Sequence, residues 1–552
     1  VSAPLLLAVD VGTLSARAGL FTADGHGLAA RQAPFRLLRP AEHHAVYRMA
    51  EIWEAVIGAV RDCLRAEPGA GARVAGLAFD ATSSLALTAA GDPPLEGGGD
   101  VLCWMDHRAE AEALAVDRTG HRFLDHVGGA LSPESNLPKL LWLKRHRPQA
   151  WARLAAARDL CDELAFRATG IDRHSVCGLA CKWPYLPHEP EPWCRDLLAA
   201  LGLEDLTALG RLAARPAHVG EVHGPLAPSV AERCGLRAGL PVAVGLIDAE
   251  AGALGVLGRD FRGRMNRVLP MIAGTSTSFM PFTADKRHVP GVWGPFKDAV
   301  FPGLWMHEAG QSLSGAALDA VLAHHPASPG PPGAERHAAA AAAVLARLDA
   351  EGPAFGARRH VVPDWLGNRA PLGDGRVRAL LTGIGEETSE RAFLEAYYAA
   401  ARGLALQTRH IREHLNRHGY AIDTVALAGG HRRNPLLVRL YRDALGCDLV
   451  LGEADEPVLL GTAMVAATAA GLSPDLLGAL DAMAPAQRVL ARDPAWARAH
   501  ERAYRTYLAL FEARNAVERE ALAAEAGPWA PHAAPDVPAP AAAPSPDPHG
   551  AA

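Results

Sequence analysis

Lysine is nearly missing from this chain. Of 55 basic residues only five are lysines, Lys139, Lys144, Lys182, Lys286 and Lys297, and all others are arginine. The chain is also rich in Ala and Gly, so the bias reads as genomic base composition. A strong positive charge is missing as well. The formal net charge is −6, which argues against a nucleic-acid binder. Long apolar runs are absent: none reaches the roughly 18 residues of a membrane span. No Cys-x-x-Cys pair occurs. The eight cysteines are scattered, Cys177 and Cys181 lie four apart, and no second pair answers them. They read as core or site-lining thiols rather than a zinc site. The sequence opens on a strand-like run without a signal-peptide pattern. Together these absences point to a reducing, cytoplasmic setting, with no membrane and no nucleic acid as partner. What is present is 49% hydrophobic residues over 552 positions, enough for two to three domains.

The most informative stretch that is present is 5–20, LLLAVDVGTLSARAGL. An apolar run ends in Asp10, a Gly12-Thr13 turn follows, and Ser15 and Arg17 come next. The alternating flanks predict a hairpin. Glycine lets backbone N–H groups approach an anion, and hydroxyls and Arg add donors. A carboxylate at the strand end can hold a hydrated Mg²⁺. Taken alone, this is also an ordinary turn with an Asx contact. The chain repeats it, however. Residues 268–280, VLPMIAGTSTSFM, again give strand, Gly274-Thr275 turn, hydroxyls and strand. Two such loops predict a duplicated ATP-binding fold.

Up to about residue 260 strands and helices alternate. Strands are expected at 74–79, ending at Asp80, and at 241–247, ending at Asp248. Stretches 137–157 and 152–169 read as helical. Gly252, Gly255 and Gly258 space out a small-residue helix, and a boundary is expected within 258–267. A long helix spans 389–419, with Phe393, Tyr397, Leu404, Ile411 and Leu415 close to one face and Gly419 as its stop. A strand at 424–428, a Gly429-Gly430 turn and a helix opened by Asn434-Pro435 follow. Residues 327–334 form a Pro/Gly-rich loop. The Pro/Ala-rich stretch 527–552 is expected to be disordered. The organisation read here is 1–262, 263–526 and that tail.

The ordered motifs resemble the FGGY family of carbohydrate kinases. DVGTLSARAGL is similar to the family's first phosphate loop, AGTSTSF to its second, GLIDAEAGALG to the segment of the catalytic base, and LAGGHRRNPLL to the adenosine loop. CWMDHRA, CGLACKW, HEAGQSLSG and PDWLGNRAPL resemble the pentulose-kinase branch, closest to D-ribulose kinases. The resemblance implies an α/β, two-domain, duplicated ribonuclease-H-like ATPase fold of the actin and hexokinase type, with an interdomain cleft. It implies an enzyme that transfers the ATP γ-phosphate to a pentulose, with Mg²⁺ as cofactor and with sugar and ATP as small-molecule partners. It leaves a homodimer open. The sugar implied is D-ribulose, with L-ribulose, ribitol and D-xylulose as alternatives. A non-catalytic sensor on this fold would lack the acid at 248 or the one at 10, and both are present. An actin-like or chaperone ATPase would need no WMDHRA or EAGQS.

By this resemblance Asp248 is the catalytic base and a sugar contact. Asp also favours the start of a helix, and one residue can do both. Asp10 takes the metal, through water, with Thr13 and Arg17 on the phosphates. Asp80 ends a strand in FDATSSL, where Ser83 is the expected sugar contact and a plain polar turn the alternative. Lys182 is a sugar-hydroxyl ligand or a chance Lys; its rarity here favours a need for a compact charge. Glu308 reads sugar hydroxyls or simply pairs across the cleft. Trp104, Asp106 and Arg108 alternate as on a strand, so Asp106 and Arg108 either line the sugar pocket or brace the domain. Gly274, Thr275, Gly310, Ser314, Gly429, Gly430 and Asn434 are the expected nucleotide residues. The bulky His431-Arg432-Arg433 departs from the adenosine loops of relatives and leaves nucleotide preference open.

Overall fold

The computed structural model describes residues 3–206 and 216–525. The Pro/Ala-rich stretch from 527 lies outside them. Two mixed sheets organise the chain, and each is built on the same unit. In the first, Leu5–Val11 pairs antiparallel with Ser15–Thr22 and parallel with Val74–Ala81. In the second, Val268–Ala273 pairs antiparallel with Thr277–Phe279 and parallel with Thr424–Ala428. The central strands are buried along their length, as expected of parallel strands covered on both faces.

The register of the first sheet decides where its acids emerge. Asp10 stands opposite Asp80, and Leu246–Ile247 pairs with Asp80–Ala81 in the same direction. Asp248 is the next residue. Three parallel strand ends therefore deliver three carboxylates to one edge, the place where open α/β sheets bind ligands.

The 241–247 stretch is two short strands, Pro241–Ala243 and Leu246–Ile247. Asp248–Leu254 follows as a helix and meets the helix Pro457–Ala469 of the second half. A Cβ on Gly255 would strike the Pro457 carbonyl, and one on Gly461 would strike the Ala251 carbonyl. The two helices approach backbone to backbone because both glycines lack that atom. Pro457–Ala469 also lies against the first sheet, where a Cβ on Gly76 would crowd the Ala466 carbonyl. It ties the two halves together.

The long helix runs Glu390–Arg417, with the Ser389 side chain accepting the Ala392 N–H as its cap. Phe393, Tyr397, Leu404, Ile411 and Leu415 are all buried in the second core. Two sequence expectations are corrected. Leu154–Asp159 is a strand, paired with Leu85–Ala89, and it separates the helices Asn136–His146 and Leu160–Thr169. Trp104–Arg108 is not a strand: the strand ends at Leu102, and a turn follows.

Candidate active site

The first loop is held from below. The Gly12 N–H donates to the Ser15 carbonyl at 3.0 Å. Tyr47 donates to the Thr13 carbonyl at 2.9 Å, and the Trp104 indole N–H to Thr13 Oγ1 at 3.2 Å. Arg17, directly across the hairpin from Asp10, pairs with it and reaches Glu456 at 3.2 Å. Glu456 immediately precedes the bridging helix Pro457–Ala469.

Asp10 and Asp80 are fully buried. Thr462 donates to Asp80 Oδ2, while Asp80 Oδ1 has no hydrogen-bond partner among the described residues. Burial and then the Asp10 charge push Asp80 well above the usual carboxylate range. Burial raises Asp10 too, against the pull of Arg17. Asp248 rises to about 7, from burial first and the Asp10 charge second. Its Oδ1 accepts the Ala249 N–H at 2.8 Å, so Asp248 serves the start of its helix while its charge faces the cluster. Asp10 and Asp80, paired across neighbouring strands with one Asp80 oxygen unpartnered, offer the oxygen donors that a hard divalent cation takes.

Beside this cluster lies a second polar group. Lys182 ends the helix Val176–Lys182, and its Nζ is 3.8 Å from Glu308 Oε2. Burial alone would lower Lys182, but Glu308, Glu134 and Glu250 outweigh it and raise its pKa. Glu308 sits on Trp305–Gln311, across from Trp293. Lys182 Nζ is 5.0 Å from the Trp293 ring centre, and the Arg369 guanidinium is 5.1 Å from it. Arg369 in turn lies 3.7 Å from Glu134, which His107 approaches at 3.3 Å. Against its burial, Arg369 and then His107 hold Glu134 down to about 2. Glu134, Trp293 and Arg369 were not singled out from the sequence. Only Arg369 stood in a quoted motif, PDWLGNRAPL.

Other expected sugar residues are used internally. Ser83 Oγ is 3.4 Å from Asp159 Oδ1, which also accepts from Asn136, while Trp183 donates to Asp159 Oδ2 at 2.6 Å. Asp106 accepts from the Ala45 N–H and, through both oxygens, from Arg108. Arg108 also pairs with Glu96 at 3.0 Å. Neither Asp106 nor Arg108 exposes any side-chain surface. The geometry is that of a brace, because each group's charge is satisfied by the other.

The second loop is braced by different means. Ser314 Oγ accepts from Thr277 at 2.8 Å and donates to the Gly274 carbonyl at 3.1 Å. Its N–H donates to the Thr275 carbonyl. Ser314 is fully buried, so it shapes the loop from behind. Gly310 lies within a strand, where a Cβ would strike the Arg369 side chain. Gly274 has open space where a Cβ would be. Gly429 takes φ 83° against the Ala273 carbonyl, and Gly430 starts the short turn of 3₁₀ helix Gly430–Arg433. Asn434 caps Pro435–Ala444 by accepting from the Leu436 and Leu437 N–H groups.

His431 resolves the bulk noted in the sequence. It points inward, stacked on Tyr441 at 6.1 Å. Burial lowers it to about 4, so it is neutral. Nε2–H donates to the Gly274 carbonyl at 2.9 Å, which leaves Nδ1 to accept from the Tyr441 hydroxyl at 3.0 Å. One side chain thus couples the adenosine-type loop to the second phosphate-type loop. Arg432 turns to the Ala454 carbonyl at 2.5 Å.

Residues 5–255 match the N-terminal domain of the FGGY family of carbohydrate kinases, and residues 269–470 match its C-terminal domain. The chain belongs to the FGGY family of carbohydrate kinases. An FGGY carbohydrate kinase domain-containing protein of Homo sapiens is 34% identical over 515 residues, covering 87% of this chain and 91% of that one. A D-ribulokinase of Saccharomyces cerevisiae is 31% identical over 519 residues, covering 85% and 72%. The crystal structure of a "xyloylose kinase" from Brucella ovis superposes with a TM-score of 0.79 at 22% identity, over 93% of this chain and 100% of that one. At that identity the match speaks for the fold: the two-domain, actin- and hexokinase-like arrangement. As an FGGY member the protein is a sugar kinase, with a sugar and ATP as its substrates. No helix among the described residues is long and apolar enough to cross a membrane.

Proposed function

We propose that this FGGY kinase phosphorylates a pentulose, D-ribulose, on O5, with Mg²⁺ as cofactor. The carrying observation is that Asp248 and Lys182 of the first half and Glu308 of the second lie within one electrostatic neighbourhood: Glu308 perturbs both of the others. An attacking hydroxyl between them would meet a proton acceptor, a cation and a hydroxyl-reading carboxylate. The 31% identity to a D-ribulokinase over most of the chain supports the choice of sugar. The eight free cysteines, all buried, suit a reducing cytoplasm.

In this reading Asp248 takes the proton of the sugar 5-hydroxyl as that oxygen bonds to the γ-phosphorus. The bond from phosphorus to the β–γ bridging oxygen breaks, and ADP leaves. Phosphoryl transfer asks little covalent help of a protein, so orientation and charge placement are the main contributions. Lys182 and Glu308 orient the sugar, with Arg369 and Glu134 beyond Trp293. Gly274, Thr275, Gly429 and Gly430 carry the nucleotide, with Thr13 on its phosphates. Asp10, with Asp80 beside it, would hold Mg²⁺, which when bound offsets charge on the phosphates. Arg17, now shared by Asp10 and Glu456, is free to turn to a phosphate once Asp10 is otherwise engaged. Closure of the two halves excludes water and limits wasteful hydrolysis.

Steady-state kinetics across D-ribulose, L-ribulose, D-xylulose, L-xylulose and ribitol test this. D-ribulose should give the highest kcat/KM. A site whose buried polar groups are left unpaired by the wrong isomer can discriminate by up to about 10⁴. A clear preference for another sugar overturns the substrate and leaves the kinase.

A further inference from the structure

Cys177 and Cys181 stand one turn apart on the helix Val176–Lys182, so their thiols share a face. That face meets Glu250 of the helix Asp248–Leu254. The two sulfurs and a Glu250 carboxylate oxygen all lie within 4.8 Å of one another. Cys181 Sγ is 3.8 Å from Glu250 Oε1. A tetrahedral cation bound at about 2.3 Å to thiolate and about 2.0 Å to carboxylate separates those two donors by about 3.5 Å. The gap is therefore cation-sized already.

The second observation is the other Glu250 oxygen. Oε2 is buried and has no hydrogen-bond partner among the described residues. A buried carboxylate oxygen with no partner is costly and calls for a group that supplies positive charge. Lys182, the residue after Cys181, also bears electrostatically on both Glu250 and Cys181. Two thiolates, one carboxylate and a divalent cation sum to −1, against −3 for the same ligands without the ion, and Lys182, shared with Glu308, stands beside them.

We propose that Cys177, Cys181 and Glu250 form a site for a thiophilic divalent cation of the Zn²⁺ class, distinct from the carboxylate pair Asp10 and Asp80. Sulfur donors select such ions over Mg²⁺. On binding, both thiol protons, and the carboxyl proton if present, pass to solvent, and two metal–sulfur bonds and a metal–oxygen bond form. The ion would tie the helix that ends in Lys182 to the helix that begins with Asp248. Its occupancy would therefore fix the spacing between those two site residues. The Cys pair alone did not read as a zinc site in the sequence, because its third ligand comes from 69 positions further on, Glu250 against Cys181.

The test uses the full chain, stripped with a chelator and kept reduced, titrated with Co²⁺. Expected is one equivalent bound with a thiolate-to-cobalt charge-transfer band, displaced by Zn²⁺ and untouched by millimolar Mg²⁺. Cys181→Ser and Cys177→Ser should each weaken the band and the affinity at least tenfold, and the double variant should abolish both. Glu250→Gln should keep the band and lose affinity about tenfold. Absence of the band in the unaltered protein overturns the proposal, as does an undiminished band in the double variant. Absence of the band in the unaltered protein decides against the proposal even if a variant fails to fold, either single Cys→Ser variant that folds reports the location, and neither result depends on which sugar the kinase takes.

Discussion

The two Gly-Thr hairpins share one backbone plan and differ in chemistry. Aligned on Gly12-Thr13 and Gly274-Thr275, Asp10 of the first corresponds to Ile272 of the second. Each stands on the central strand of its sheet, opposite a parallel neighbour: Asp80 for Asp10, Ala428 for Ile272. The first pair puts two carboxylates side by side. The second pair is apolar, and Ile272 packs toward Gly252 of the helix that Asp248 begins. Supports differ too. Aromatic groups, Tyr47 and Trp104, hold the first loop, while Ser314 and His431 hold the second. The two halves share the turn; in the function proposed above their side chains divide the work, with charge and proton handling in one half and backbone cradling of the nucleotide in the other.

The comparison breaks most visibly if the two equivalent positions respond alike. Asp10→Asn should lower kcat by about 10² or more and shift the Mg²⁺ titration to higher concentration, on the scale of losing one charge-stabilising group. Ile272→Ala should leave the Mg²⁺ titration in place and cost only about 1–2 kcal/mol of stability, as a half-buried truncation. Metal dependence that moves equally in both variants would contradict the division. A smaller functional effect is expected at the brace. Asp106→Asn leaves the buried Arg108 with Glu96 as its remaining charged partner and should cost about 2–3 kcal/mol in an unfolding experiment, with the sugar KM within about twofold. A tenfold rise in sugar KM without loss of stability would return Asp106 to the sugar pocket. Smallest in free energy is the coupling of the Gly274-Thr275 loop to the Gly429-Gly430 loop. His431→Ala and Tyr441→Phe should raise the KM for ATP, by about tenfold for the first and less for the second, for loss of one or two hydrogen bonds. Their sugar KM should stay constant; a general loss of activity without that split would make His431 a packing residue only.

Features fixed by neighbours in the chain were legible in the sequence. Both hairpins follow from apolar alternation around Gly-Thr, and the helix Glu390–Arg417 from its stripe and Gly419. The family was legible for the same reason, as a succession of local motifs. What failed depended on distant partners. Leu154–Asp159, LAAARD, has helix-forming composition and becomes a strand through Leu85–Ala89. Asp106 and Arg108 looked like neighbours on a strand face because alternation cannot reveal the turn after Leu102 that lets them pair with each other. Glu134, Trp293 and Arg369 come from three separate segments and meet only in the folded cleft. His431 showed its bulk in the sequence but not its direction, which Tyr441 and Gly274 set.

The division between the halves is tested most directly at Asp248, the first-half residue assigned the proton. Purified, folded Asp248→Asn should be assayed for turnover with saturating D-ribulose and, separately, for ATP affinity by equilibrium binding. The expected result is a kcat lower by about 10³, within the usual range for removing a general base, with ATP affinity changed by less than about twofold. Near-normal turnover, or a loss of ATP affinity that accounts for the whole defect, would contradict it.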